Sequence, residues 1–322
     1  MKIETGKHWG VALILGIFCI SGICAQERDP ELLDVLEKPG IENSTILDIM
    51  AATTIELKAI LRHNITAPFL AGEGVLTRGN NIRGSFVFDI TPVSLNASAE
   101  AVWTPLAILQ LTAGMKAGSG WSLTLGNFSA YGIGKNVRVG AHEEGYSGSP
   151  FEGLIWSGKA GAALQFDFAA LFPGDWNHVV VRAYNEFFYR ANTAANSTDS
   201  WYFENDFGEN RNGWKYYASY LLGYQMPIFF NTFALLAELE KNLYNTPGGD
   251  AWGDSLGYWK LAGLFNFTIT KWFSAALIVQ FRSMRNYTPA TKDYFYQDRV
   301  LVTSDPRRFE FYRAAINVTF TF

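Results

Sequence analysis

Ile316-Asn317-Val318-Thr319-Phe320-Thr321-Phe322 ends the chain in strict alternation of apolar and polar side chains, with no charge after Arg313. In an extended strand every second side chain points to the same face, so Ala314, Ile316, Val318, Phe320 and Phe322 form one apolar stripe. A sandwich core could bury a single stripe of this kind. Repeated along an exported chain, the pattern instead fits strands that turn the stripe toward lipid.

The pattern does repeat. From Thr53 to Arg62, Ile55, Leu57, Ala59 and Leu61 oppose Glu56, Lys58 and Arg62. Similar alternation runs through Asn81–Ile90, Leu95–Trp103, Leu109–Ala117, Leu154–Phe168, Val179–Arg190, Tyr216–Met226, Phe233–Leu243, Trp259–Ile269, Phe273–Phe281 and Phe309–Phe322. The apolar parity flips after Thr91-Pro92, which requires either a tight turn or a bulge, and proline suits both. Counting Asn81 to Trp103 as one kinked strand gives ten strands, and a further hairpin around Asn136–Val139 or Tyr294–Val302 gives twelve. Short connectors at 104–107, 173–177, 227–230 and 270–271 alternate with long ones at 118–153, 192–213, 244–256 and 286–307.

The amino terminus has the layout of an export signal: Lys2 and Lys7, the apolar run Val11–Ile20, then Ser21-Gly22-Ile23-Cys24-Ala25. Cleavage is expected after Ala25; Ile23 is a poor residue before a lipidated Cys24. Both cysteines lie in this segment, so the mature chain would form no disulfide. Removing residues 1–25 takes away two lysines and one glutamate and moves the formal charge from −4 to −5, which disfavours a nucleic-acid partner. Residues 26–43, with Pro30 and Pro39, read as a periplasmic lead-in, and 44–322 as the barrel. The composition is 48% apolar and 16% aromatic, yet after the signal no apolar run approaches the roughly 20 residues of a membrane helix. The fold expected is all-β: a closed antiparallel transmembrane β-barrel of about 10–12 strands with short periplasmic turns and long extracellular loops, because an open sheet edge in hydrocarbon leaves backbone groups unpaired. A soluble exported all-β protein is the alternative, and it would have to cover every stripe with a second sheet.

On the opposite face the strands carry charges of both signs. The lumen-lining candidates are Glu56, Lys58, Arg62, Arg83, Asp89, Glu100, Lys116, Lys159, Asp167, Arg182, Glu186, Arg190, Glu238, Glu240, Lys260, Arg282 and Arg313. In a narrow barrel such groups pair across the lumen and plug it, whereas a wider one leaves a small wet pore. Glu238 and Glu240 share a face, with Arg182 or Arg282 available to neutralise them. The aromatics Trp103, Trp121, Trp156, Phe172, Trp176, Tyr189, Trp214, Tyr244, Trp259 and Trp272 fall at strand ends and read as two interfacial girdles. The stretch Glu204–Arg211 lacks the acidic spacing of a calcium loop and reads as a solvated loop; no metal or cofactor is expected. After the signal the histidines are His63, His142 and His178, the first two assigned to the exterior end, and His63 or His142 with Glu143 makes only a thin case for catalysis. An enzyme is not expected.

The signal segment, the tight turn Thr104-Pro105-Leu106-Ala107, the long aromatic strands and the terminal Asn317–Phe322 resemble bacterial outer-membrane β-barrel proteins. Ala67-Pro68-Phe69-Leu70 and Gly118-Ser119-Gly120-Trp121 resemble spirochaetal members of that group. The resemblance implies residence in the outer membrane of a diderm bacterium, contact with its lipid, and assembly by the barrel-assembly machinery, with Ile316, Val318, Phe320 and Phe322 as the assembly signal. It implies porin-like passage or binding of small solutes, the alternative being a non-conducting surface barrel whose long loops bind extracellular ligands.

Overall fold

The computed structural model describes residues 40–74, 76–125, 128–139, 143–147, 149–196, 199–204, 209–244, 253–287, 301–302 and 304–322. The signal segment, His142 and Tyr294–Arg299 lie outside the described residues. Twelve strands close into an antiparallel barrel. In chain order the first five are β1 (Glu42–Ala52), β2 (Glu56–Pro68), β3 (Asn81–Thr91), β4 (Ser94–Leu106) and β5 (Leu109–Gly120). Four short strands follow within one connection: β6 (Ser122–Leu125), β7 (Phe128–Tyr131), β8 (Ile133–Val139) and β9 (Glu143–Ser147). The wall continues with β10 (Ile155–Asp167) and β11 (His178–Asn192), is interrupted by the short β12 (Trp201–Phe203), and resumes with β13 (Gly213–Gln225), β14 (Phe230–Asn242), β15 (Tyr258–Thr270), β16 (Phe273–Arg285) and β17 (Arg307–Thr321). β17 pairs with β1 to seal the cylinder, from Ile46 opposite Thr321 to Ala52 opposite Ala315.

Two strands beyond the ten account for the observed number. The parity flip after Thr91 is a hairpin turn, tightened by a 2.8 Å bond between the Thr91 and Ser94 hydroxyls and by Val93 N–H donating to Thr91 Oγ1 at 3.2 Å. The other addition is β1, which sequence alternation does not reveal because it is apolar on both faces: Ile46 and Met50 point inward while Leu47 and Ile49 point outward. The stretch around Asn136–Val139 does form a strand, β8, but outside the barrel wall, paired with β9 and β12.

The two ends of the barrel differ. One carries both chain ends of the cylinder and the connections 69–80, 107–108, 168–177, 226–229 and 271–272; the other carries 121–154, 193–212, 243–257 and 286–306 together with two tight turns at 53–55 and 92–93. Long loops therefore rise only over the sector from β5 to β17.

The distribution of side chains is inverted relative to a water-soluble protein. Asp48, Lys58, Asp89, Arg285 and Arg313 are buried, while Phe88, Leu222, Leu235, Phe311 and Ile316 are more than half exposed. Every barrel strand presents such an outward set, a continuous apolar belt far beyond the few hundred Å² that soluble monomers expose. Aromatic chains mark both rims: Trp156, Tyr189 and Trp214 stack in sequence at 5.3 and 5.6 Å toward the long-loop end, and Trp272, Phe273 and Phe320 cluster at the other.

Inside, one sector of the wall is packed dry. Met50 of β1, Ala234 and Leu236 of β14, Ala262 and Leu264 of β15, Ile278 of β16 and Ala315 of β17 form one buried apolar cluster. Leu236→Ala is expected to cost about 2–5 kcal/mol, the usual range for a core leucine. Its outward neighbour Leu235, 51% exposed, should cost clearly less when changed to alanine. Denaturant unfolding of the two variants in the same detergent compares them; equal losses would contradict the packed interior.

Candidate functional site

The other sector of the interior is polar and holds a cavity of about 300 Å³. Strands β2, β3, β4, β5, β10 and β11 wall it, with β1 contributing Ser44 and Ile46 and β13 contributing Tyr217 and Ser219. Ten of the seventeen sequence candidates line it: Lys58, Arg62, Arg83, Asp89, Glu100, Lys116, Lys159, Arg182, Glu186 and Arg190. Their strands bring them together because the inward parity of each is fixed by the belt on its other face.

The carboxylates are held in networks. Asp89 takes Lys58 at 2.8 Å and Lys116 at 3.1 Å, and accepts from Asn96 Nδ2 at 2.7 Å. Lys159 bridges Glu100 at 2.5 Å and Glu186 at 3.4 Å, and Tyr184 donates its hydroxyl to Glu186. The remaining seven candidates lie away from the cavity. Glu56 pairs with Arg313, whose Nε donates to Gln280 at 2.6 Å, and Arg282 holds Glu310 through two N–H donors at 2.9 and 3.0 Å. Glu240 is neutralised by Lys215 at 2.8 Å, and Glu238 accepts from the Tyr217 hydroxyl at 2.5 Å, with Lys260 beside both. Of the two arginines expected to neutralise this pair, Arg182 stacks on Tyr184 and Arg282 on Tyr312. Asp167 sits at the short-turn end, 2.7 Å from His178 Nδ1.

A lid built from two loops closes the cavity at the long-loop end. In it β12 pairs with β8 from Trp201 opposite Lys135 to Phe203 opposite Ile133, and both Phe203 and Glu204 line the cavity. Trp201, Phe203 and Ile133 pack with Ile155 of the wall, Arg190 lies 5.1 Å over the Trp201 ring, and Trp201 Nε1 donates to Asn212 Oδ1 at 3.0 Å. The approach is close enough that a Cβ at Gly132 would meet the Val93 carbonyl oxygen at 2.0 Å. Glycine is therefore required there.

Glu204 latches the lid. It accepts from Ser94 Oγ at 2.8 Å and Asn96 Nδ2 at 2.7 Å and lies 3.9 Å from Lys58. Its backbone takes the left-handed conformation (φ 56°), uncommon without glycine, while its N–H donates to the Gly132 carbonyl at 2.8 Å. Burial raises the pKa of its carboxyl, but Lys58 and Lys116, helped by Ser94 and Asn96, outweigh that and hold it at about 2. Of the stretch Glu204–Arg211, read as a solvated loop, residues 205–208 lie outside the described residues; among the others the reading is corrected, since Glu204 enters the barrel, Glu209 lies 3.4 Å from Arg285, and Arg211 is buried. Alternation could not find Glu204, because it lies outside the wall strands and its side-chain partners Ser94, Asn96 and Lys58 are more than a hundred positions away in sequence.

His63 also differs from expectation. Strand β2 descends from the long-loop end, so His63 lies near the carboxy terminus, hydrogen-bonded to Thr45, whose backbone pairs with Phe322; its side chain is on the outward face. It cannot join a catalytic group at the exterior rim.

No family model matches the chain, and no curated protein does. Structure comparison returns barrels of distant sequence. The KdgM porin is 9% identical at a TM-score of 0.35, with 87% of this chain and 99% of that one covered. The NanC porin is 7% identical at 0.38, with 87% and 99% covered. The Acinetobacter baumannii outer membrane protein Omp33 is 11% identical at 0.33, with 88% and 98% covered. None of these supports the spirochaetal resemblance, and the barrel is defined here by its own strand ladder.

The depressed carboxyl of Glu204 stabilises the docked lid fully above the ordinary glutamate range near 4.5, and this contribution is lost as the pH falls toward 2. Pepsin is therefore expected to leave the 193–212 connection uncut at pH 4.5 and to cut it near pH 2. In Glu204→Gln, which weakens docking by about 1.5–3 kcal/mol as for a hydrogen bond to a charged group, cutting should occur already at pH 4.5. Equal cutting of both proteins at every pH would refute the latch.

Proposed function

We propose that this chain is an outer-membrane barrel that admits or binds small polar solutes in its luminal cavity. The observation that carries the reading is a polar, charge-networked cavity inside a cylinder whose outer surface is an unbroken apolar belt. Lipid is the solvent that such a belt requires, and closed barrels and helices are the structures that satisfy their own backbone groups there. No helix among the described residues is long and apolar enough to cross a membrane. The short-turn end, which carries the carboxy terminus, is assigned to the periplasm and the lid to the exterior.

A second reading is favoured by the lid and by the β13–β1 sector, where an apolar cluster and close ion pairs fill the interior and leave only part of the lumen open. In it the barrel is closed at rest and its exterior loops are the working surface. Catalysis is not proposed: the cavity's carboxylates are held by lysines, and no histidine among the described residues lines it.

Planar-bilayer recording separates the two. Steady single-channel current from the wild-type protein, raised in Glu204→Gln, is expected for a solute pathway; no current from either protein would leave the closed surface barrel. Assembly by the barrel-assembly machinery is proposed to read the Ile316, Val318, Phe320 and Phe322 stripe. Phe322→Glu keeps the backbone pairing with Thr45 but charges the stripe, and is expected to abolish stable insertion and heat-modifiable gel migration. Ile316→Arg is expected to cost about 2–4 kcal/mol of folding stability in lipid.

A further inference from the structure

The cavity has a charge sign opposite to that of the chain. Seven cationic side chains and four carboxylates line it, a surplus of three cations in a protein of formal charge −4. Overall composition therefore does not explain the surplus.

Lysines and arginines divide the work inside. Lys58, Lys116 and Lys159 are the partners that hold Asp89, Glu204, Glu100 and Glu186. Arg83, Arg182 and Arg190 form no ion pair among the described residues, and Arg83 Nε is buried without a hydrogen-bond acceptor. Arg182 and Arg190 instead lie 5.1 Å over the rings of Tyr184 and Trp201. Stacking uses the face of a guanidinium and leaves its in-plane N–H donors for an acceptor. The three are spread along the cavity: Arg83 and Arg182 near the short-turn ends of β3 and β11, Arg190 beneath the lid.

The three arginines are partly buried in the cavity wall without an ion pair among the described residues, and the guanidinium fork matches the two oxygens of a carboxylate or phosphate. We infer that the cavity selects small organic oxyanions, carboxylates or phosphate esters, through Arg83, Arg182 and Arg190. This rests on the solute-pathway reading and names the class of solute.

Proteoliposomes carrying the full chain test both levels with a series of similar size: succinate, glycerol 3-phosphate, butane-1,4-diol and putrescine. Uptake of at least one anion is expected to exceed that of putrescine by roughly tenfold, as focused fields in charged clefts produce; the relative rates of the two anions tell carboxylate from phosphate. The Arg83→Gln/Arg182→Gln double variant, checked for folding by heat-modifiable migration, should lose that preference, and Arg308→Gln, outside the cavity, should keep it. Equal uptake of anions, diol and diamine overturns the anion site while leaving solute passage intact. If nothing enters, titration calorimetry decides: saturable anion binding lost in the double variant upholds the site without passage, and no binding overturns both.

Discussion

Everything in this molecule follows from the need to pair each backbone N–H and C=O of a sheet whose outer face is apolar. A sheet in water can leave an edge to solvent; one wrapped in hydrocarbon cannot, and each unpaired group costs several kcal/mol. The seam between β1 and β17 removes the last edge. Its final backbone bonds join Thr45 and Phe322, almost the full length of the described chain apart. Beside them the buried Asp48 carboxylate accepts from the Thr319 hydroxyl at 2.6 Å and from Asn317 Nδ2 at 3.2 Å, so the seam is fixed by side chains as well as by the ladder.

Closure then creates an interior problem. Twelve strands enclose more volume than a single row of side chains fills, and polar atoms facing inward must find partners there. The chain uses two solutions side by side. Toward β14–β17 the inward positions combine an aliphatic cluster with close ion pairs such as Arg313–Glu56, Arg282–Glu310 and Lys215–Glu240; toward β1–β11 they are largely charged and arranged around a cavity. The boundary is marked by Tyr217, whose ring meets Tyr184 of the cavity wall while its hydroxyl reaches Glu238 on the packed side.

Sequence alternation reveals the barrel wherever one face of a strand is apolar and the other polar, as in β17 or β2. It fails at β1, where inward Ile46 and Met50 alternate with outward Leu47 and Ile49: Ile46 lines the cavity and Met50 joins the apolar cluster. Proline at position 92 was ambiguous until the Thr91 and Ser94 hydroxyls could be seen to close a turn. Inward parity placed the lumen charges, but parity does not choose partners; that Lys215, one residue before the strand as read, neutralises Glu240 depends on cross-strand register. Of the lid, the sequence offers only the stretch around Asn136–Val139, which becomes β8; β12 is three residues long and carries no periodic signal, and Glu204 looks like any other polar loop residue.

The lid is assembled from two connections that are far apart in sequence, β8 coming from one and β12 from the other. Neither loop is therefore an independent module. A deletion or insertion in either would strand the partner with an uncovered row of amides and carbonyls facing the medium. Such loops are constrained to vary as a matched set, so the sequence free to change shrinks to positions outside the β8–β12 ladder.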